Sequence, residues 1–273
     1  MAKYICFPGG KAKALIMNYD DGRTQDIRLV EIFNRYGIKG TFNINYGPIS
    51  RRNPLRVAPE QVKELYKGHE VATHAMNHPT MERCPITEVV NEIMEDRKGL
   101  ESLTGSLVRG HAYPNGSTTN EIKTLLPHLG IAYARDYGET LNFDLPRDRY
   151  EWFPTCHHNT PDLMKLAEEF ANFKKDQYLA LMMVAGHSFE FDKDDNWEVI
   201  ENFCKYMGGH ADIWYATCIE IIDYLDAARS LQYSADHKTV CNPTAQTVWI
   251  QNWISSTDKT IYEIAPGATV QLG

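Results

Sequence analysis

Asp20 and Asp21 stand side by side between the apolar run Ala14–Tyr19 and Gly22. The run Ala-Leu-Ile-Met-Asn-Tyr reads as a short buried strand, and Asp-Asp-Gly carries turn chemistry. Two carboxylates are therefore expected at a strand's C-terminal lip, the rim on which α/β enzymes place their chemistry. Downstream, His74 and His78 are four residues apart, a spacing that sets both imidazoles on one side of a turn. Asp21, His74 and His78 supply the three His and carboxylate ligands that a catalytic zinc takes, with a fourth position left for water. Each half is weak alone: with 10 His in 273 residues, an H-x-x-x-H pair arises by chance about 0.4 times per chain, and Asp-Asp-Gly is more often a solvated turn. Their weight comes from both following expected strands on one rim.

Roles follow from the chemistry. Of two adjacent carboxylates, one can coordinate the cation while the other takes a proton from the water that the cation holds. Asp21 is assigned as ligand and Asp20 as base, because the residues between the histidines, Ala75, Met76 and Asn77, contain no base. Pro79 disfavours helical conformation at His78, so the pair is expected in a turn. A poor leaving group also needs a proton donor, and His187, after the apolar strand that ends in Ala185-Gly186, can supply one near neutral pH. The blander alternative for His187 is a structural histidine at a strand end.

Strand-like and helix-like segments alternate, as in a parallel sheet or barrel covered by helices. Strands are expected at 14–19, 40–45, 70–73, 107–110, 131–135, 178–185 and 213–217. Helices are expected at 26–36, 59–67, 86–103, 120–129, 161–173, 197–207 and 219–231. Seven such steps predict a distorted (β/α)7-type barrel over residues 1–231. The stretch 136–161, rich in Asp, Arg and Pro, is long for a connection, and loops of that length usually carry function. Beyond Leu231 the helical pattern stops, and short strands at 238–240, 247–253, 261–264 and 269–272 predict a small β-rich C-terminal extension over 232–273.

Composition limits the partners. A net charge of −8, with no run of Lys and Arg, argues against tracking nucleic-acid phosphates or anionic lipid. No stretch approaches a membrane span, and the first ten residues lack the apolar core of a leader. The expected location is cytoplasmic if this N-terminus is native, and secreted if a leader has been removed. The six Cys are widely spaced with no C-x-x-C pair, and are expected to be reduced core residues. Nothing in the sequence calls for a homo-oligomer.

Taken together, Tyr19-Asp20-Asp21-Gly22, His74-Ala75-Met76-Asn77-His78 and Gly186-His187 resemble, in order and spacing, the motifs of the polysaccharide deacetylases, the NodB-homology group of carbohydrate esterase family four, over about Lys11–Leu231. The resemblance implies a distorted (β/α) barrel and a divalent metal, zinc first with cobalt, manganese or nickel as alternatives, held by Asp21, His74 and His78. It also implies Asp20 as base, His187 as acid, and an acetylated sugar as substrate. The family's Arg-x-Pro-Tyr-Gly motif is here Ala112-Tyr113-Pro114-Asn115-Gly116. A backbone donor survives substitution, so Asn115, beside Tyr113, can still serve the oxyanion. The missing Arg would have oriented the base; Arg135 or Arg109 could replace it, and Arg135 is favoured. The Asp and Trp of the family's fourth motif have no evident counterpart, which leaves Asp136, Trp152, His157 and His158 as candidates for the pocket wall. Two other readings stay open: hydrolysis of a small or cyclic non-sugar amide on the same barrel, and sugar binding without catalysis.

Overall fold

The computed structural model describes residues 2–253 and 258–272. Of the expected C-terminal extension, 254–257 and Gly273 lie outside the described residues. In chain order the strands are β1 (Ala2–Cys6), β2 (Lys13–Asp20), β3 (Gly40–Ile44), β4 (Glu70–Thr73), β5 (Gly110–Ala112), β6 (Tyr133–Arg135), β7 (Cys156–His157), β8 (Ala180–His187), β9 (Ile213–Tyr215), β10 (Gln232–Tyr233), β11 (Thr239–Cys241), β12 (Val248–Trp253), β13 (Lys259–Ile264) and β14 (Thr269–Gln271). The helices are α1 (Asp26–Arg35), α2 (Tyr46–Ser50), α3 (Val62–Leu65), α4 (Ile86–Thr104), α5 (Asn120–Leu125), α6 (Leu163–Ala171), α7 (Phe189–Lys193), α8 (Trp197–Met207) and α9 (Cys218–Arg229).

The central sheet is parallel, in the order β6-β5-β4-β3-β2-β8-β7, and it curls until its ends meet. The meeting point is the stretch leading into β7: Trp152 bridges Arg135 of β6, and Cys156–His157 then pair with Val184–Ala185 of β8. One edge of β2 is shared, with β9 against Lys13–Leu15 and β3 against Met17–Asp20. The chain is thus an α/β barrel of the expected type.

Alternation along β2 explains its two environments. Leu15, Met17 and Tyr19 face outward into a core completed by helices, among them Leu29 and Phe33 of α1 and Ile200 and Phe203 of α8. Ala14 and Ile16 face the interior beside Leu181, Met183, Tyr133 and Trp152. Asn18 and Asp20 continue that inward face, so polar chemistry replaces apolar packing only at the strand's last turn.

The expected strand at 107–110 begins instead at Gly110, because Val108 donates its N–H to Glu101 Oε1 and is held against α4. The expected helix 120–129 divides at Pro127, where α5 gives way to a short 3-10 turn. The C-terminal strands form two antiparallel sheets, β1-β12-β13 and β10-β11-β14. β1, which alternation did not reveal, closes the first of them by pairing Ala2–Cys6 with Trp249–Trp253. Val248, Ile250, Ile264 and Leu272 pack on Ile221 and Leu225 of α9, and Tyr224 Oη donates to the Cys6 carbonyl. None of the six cysteines is in a disulfide. Among the described residues, no helix is long and apolar enough to cross a membrane.

Candidate active site

Asp20 and Asp21 diverge because the chain turns between them. Asp20 is the last residue of β2, whereas Asp21 has φ 86° and Gly22 has φ 63°. A Cβ at Gly22 would approach Ile44 Cγ2 to 2.9 Å, so this turn needs glycine. Asp20 is buried and accepts from Asn43 Nδ2 at 2.8 Å through Oδ1 and from Arg135 Nη2 through Oδ2. Arg135 also donates through Nε to Asn18 Oδ1 at 3.1 Å. Burial pushes the Asp20 carboxyl up, but the Arg135 guanidinium, with His74 and His187 nearby, holds it well below the usual carboxylate range.

Asp21 sits at the rim, with Oδ2 3.3 Å from Arg23 Nε and 3.4 Å from Arg56 Nη1. Burial raises its carboxyl, and Arg56 and the histidines more than offset that. His74 follows β4, and Ala75 and His78 both have φ 58°, so the pair lies in an irregular turn, as Pro79 requires. The two rings meet edge to face with centroids 4.7 Å apart. His74 Nδ1 lies 2.8 Å from the Ala112 carbonyl, which can only accept, so the proton is on Nδ1 and the Nε2 lone pair is open. Burial pushes His74 down to about 4, which keeps the ring neutral, as a ligand must be. One ligand atom each from Asp21, His74 and His78 lies within 4.8 Å of the others, so these residues fit a divalent cation.

His187 closes the arrangement from β8, with Nε2 4.0 Å from Asp20 Oδ2. Its other nitrogen lies 3.3 Å from Glu190 Oε2, and Glu190 also accepts the His187 backbone N–H at 3.0 Å. Burial alone would lower His187, but Glu190 and Asp20 raise it above the ordinary imidazole value. Glu190 is itself held well below the usual range by His157 and His187, against the upward push of burial.

Asp20, His74, His78, Arg135 and His187 line one cavity of about 740 Å³, together with Tyr113, Asn115, Tyr137, His157 and Glu190. That volume suits a ligand of a few rings. Asn115 has φ 59° and is anchored through Nδ2 to Thr80 Oγ1 at 3.2 Å. Tyr113 is buried, and its hydroxyl donates to the Tyr150 carbonyl at 2.8 Å. Of the four wall candidates, only His157 reaches the cavity lining. Trp152 is buried edge to face against Tyr133. Asp136 turns back to accept its neighbour Tyr137's N–H at 2.7 Å. His158 is stacked between Tyr19 and Phe191 outside the lining. Arg109 pairs with Asp223 of α9, away from Asp20.

Sequence reasoning missed Glu190, Asn18 and Asn43. A signal for Asn18 was present, since it is a polar residue on the inward face of an otherwise apolar strand. Glu190 stands three residues after His187, where α7 begins, and was legible only as a spacing.

Comparison with known proteins gives a consistent result. The family model described as polysaccharide deacetylase matches residues 8–134, just under half of the chain. Over 112 residues, 40% of this chain and 23% of the relative, the sequence is 26% identical to the peptidoglycan-N-acetylglucosamine deacetylase PgdA of Listeria monocytogenes. Over 126 residues, 44% of this chain and 54% of the relative, it is 24% identical to a chitooligosaccharide deacetylase of Bradyrhizobium. The matched segment thus spans about a quarter of the first relative and about half of the second. Among solved structures, a Mycobacterium smegmatis protein assigned to the polysaccharide deacetylases superposes with TM-score 0.61 at 15% identity, over 84% of this chain and 95% of that one. A family 4 carbohydrate esterase of Streptomyces lividans superposes with TM-score 0.54 at 12% identity, over 76% and 93%. At these identities the structures establish the shared fold.

Proposed function

We propose, from the match of residues 8–134 to the family model described as polysaccharide deacetylase, that this protein is a metal-dependent hydrolase that removes acetyl groups, N-linked or O-linked, from a carbohydrate polymer or oligomer. The observation that carries this reading is a buried, ionised Asp20 lying between Arg135 and His187 in a cavity that is also lined by His74 and His78, two members of the Asp21, His74 and His78 ligand set. A divalent cation held by those three residues, zinc by the chemistry of the donor set, would polarise an acetyl carbonyl and acidify a water.

The chain's own groups do the rest. Asp20, kept as carboxylate by Arg135, accepts the water's proton. The Asn115 backbone N–H is the donor assigned to the developing oxyanion. His187, whose hold on a proton Glu190 and Asp20 strengthen against the opposing push of burial, gives its proton to the departing sugar nitrogen or oxygen. Glu190 thereby does the orienting work that the missing fourth-motif acid would do. Tyr137, 78% exposed at the cavity mouth, offers an aromatic face to the apolar face of a sugar ring.

The test is acetate release from acetylated xylan, chitooligomers and peptidoglycan fragments, with and without chelator, run beside ring-opening of small cyclic amides. Asp20→Asn is expected to keep the metal and lose turnover, and His74→Ala to lose the metal. An active Asp20→Asn enzyme, or amide ring-opening without acetate release, overturns the reading.

A further inference from the structure

On the side of the His187 ring turned away from Asp20, three imidazoles converge on one carboxylate oxygen. From Glu190 Oε2, His157 Nε2 is 3.2 Å away, His187 Nδ1 3.3 Å and His158 Nε2 3.4 Å. The same oxygen already accepts the His187 backbone N–H. We propose that this cluster is a second divalent-cation site, with His157, His187 and Glu190 as ligands and His158 behind them, and that zinc bound there suppresses turnover by capturing the acid histidine.

Hydrogen bonding accounts for only part of the cluster. The Asn159 N–H donates to His157 Nδ1 at 3.1 Å, which places the ring proton on Nε2 facing Glu190, and a cation there must displace that proton to Nδ1 and break that bond. A charge-assisted N–H···O bond closes to about 2.7–2.9 Å, and all three contacts are longer. One carboxylate oxygen offers about two lone-pair sites, whereas four N–H groups or ring nitrogens crowd this one. His187 Nδ1 and both ring nitrogens of His158 are buried without a hydrogen-bond partner. His158 is 1% exposed and has its Nε2 aimed at the carboxylate, and leaving both of its ring nitrogens without a hydrogen bond in so buried a place is costly.

Coordination geometry accounts for the distances better. With zinc bonds of roughly 2.0–2.1 Å, tetrahedral ligand atoms sit about 3.3 Å apart, which matches the contacts of His157 Nε2 at 3.2 Å and His187 Nδ1 at 3.3 Å to Glu190. One ligand atom each from His157, His187 and Glu190 also falls within 4.8 Å of the others. The fold fixes the set before any ion arrives. Pairing of His157 with Ala185 sets the β7–β8 register, and Gly186 lets His158 pack close, since a Cβ there would lie 2.0 Å from His158 Nδ1. The first turn of α7 returns Glu190 to His187. Imidazole-rich ligands favour zinc, cobalt or nickel over magnesium or calcium.

The functional consequence rests on the reading of His187 as the acid. A cation on Nδ1 leaves the ring with one proton, at Nε2, whose loss would produce an imidazolate; that ring is a far poorer acid than the imidazolium.

The test is zinc stoichiometry, measured by equilibrium dialysis and metal analysis on the chelator-stripped full chain, with circular dichroism as folding control. The wild type is expected to bind two zinc ions, and His157→Ala and His78→Ala one each. His157→Gln serves as a second, size-conserving variant. Activity is expected to rise with the first equivalent and fall several-fold with the second, and the fall is expected to vanish in His157→Gln. Two ions retained in both His157 variants, or a single wild-type ion that His78→Ala alone removes, overturns the second site. A single ion removed by His157→Ala and kept by His78→Ala supports it and overturns the Asp21, His74 and His78 assignment instead.

Discussion

Replacing Arg135 by Met tests whether the barrel interior is organised around one ion pair. Arg135 and Asp20 are 6% and 6% exposed, and the guanidinium donates to Asp20 and to Asn18 at once. Removing one partner of such a pair leaves an uncompensated buried charge and costs roughly 3–5 kcal/mol. For a chain of this size that corresponds to a fall in Tm of roughly 10 °C. Because Asp20 is held below its unfolded value, the pair's contribution is complete above about pH 4. It is lost as pH falls through the lower folded value, so pH 7 reads it in full. Denaturant unfolding in chelator, which removes differences in metal loading, is the assay. Adding Asp20→Asn to Arg135→Met removes the stranded charge and is expected to restore most of the loss. In the single variant the acid limb of kcat/KM is expected to move up by about 1–3 pH units. A double variant no more stable than Arg135→Met, or an unmoved acid limb, refutes the reasoning.

Glu190→Gln removes the carboxylate that raises His187. The basic limb of the pH–rate profile is expected to shift downward, with kcat reduced about 10-fold or more and substrate binding little affected; an unchanged limb assigns the acid elsewhere. Asp26, fully buried between Ser188 Oγ and Tyr66 Oη, is pushed up to about 7 by burial. Its stabilising contribution is complete below about pH 4 and declines as pH rises towards 7. Asp26→Asn is therefore expected to flatten the loss of stability between about pH 4 and 7, as read by urea midpoints; a parallel curve rejects the buried neutral acid. Tyr137→Ala is expected to raise KM for oligomers several-fold with kcat nearly unchanged; an equal loss in both would mean that the ring acts in the chemical step.

The barrel was legible because its signals are local. Apolar runs closed by turn residues located β2, β3, β4, β6 and β8, and Pro79 correctly kept His78 out of a helix. β1 was not legible, since its partner β12 lies some 250 residues on, and no local period betrays a strand whose pairing is that distant. Trp152 stood among the pocket candidates as a counterpart for the Trp of the fourth motif, yet its ring is buried against Tyr133 and does not reach the cavity lining.

By itself the sequence determined that Asp20, Asp21 and His187 stand at the ends of strands and that His74 and His78 follow one, because strand period and turn chemistry are written in consecutive residues. Only the tertiary structure decided which groups govern them. Arg135 reaches Asp20 across the barrel interior, and Glu190 meets His157 and His158 only because β7 pairs beside β8. Whether a side chain is neutralised, protonated or left bare for a cation depends on distances of a few ångströms in a low-dielectric interior, and curling of the sheet sets those distances.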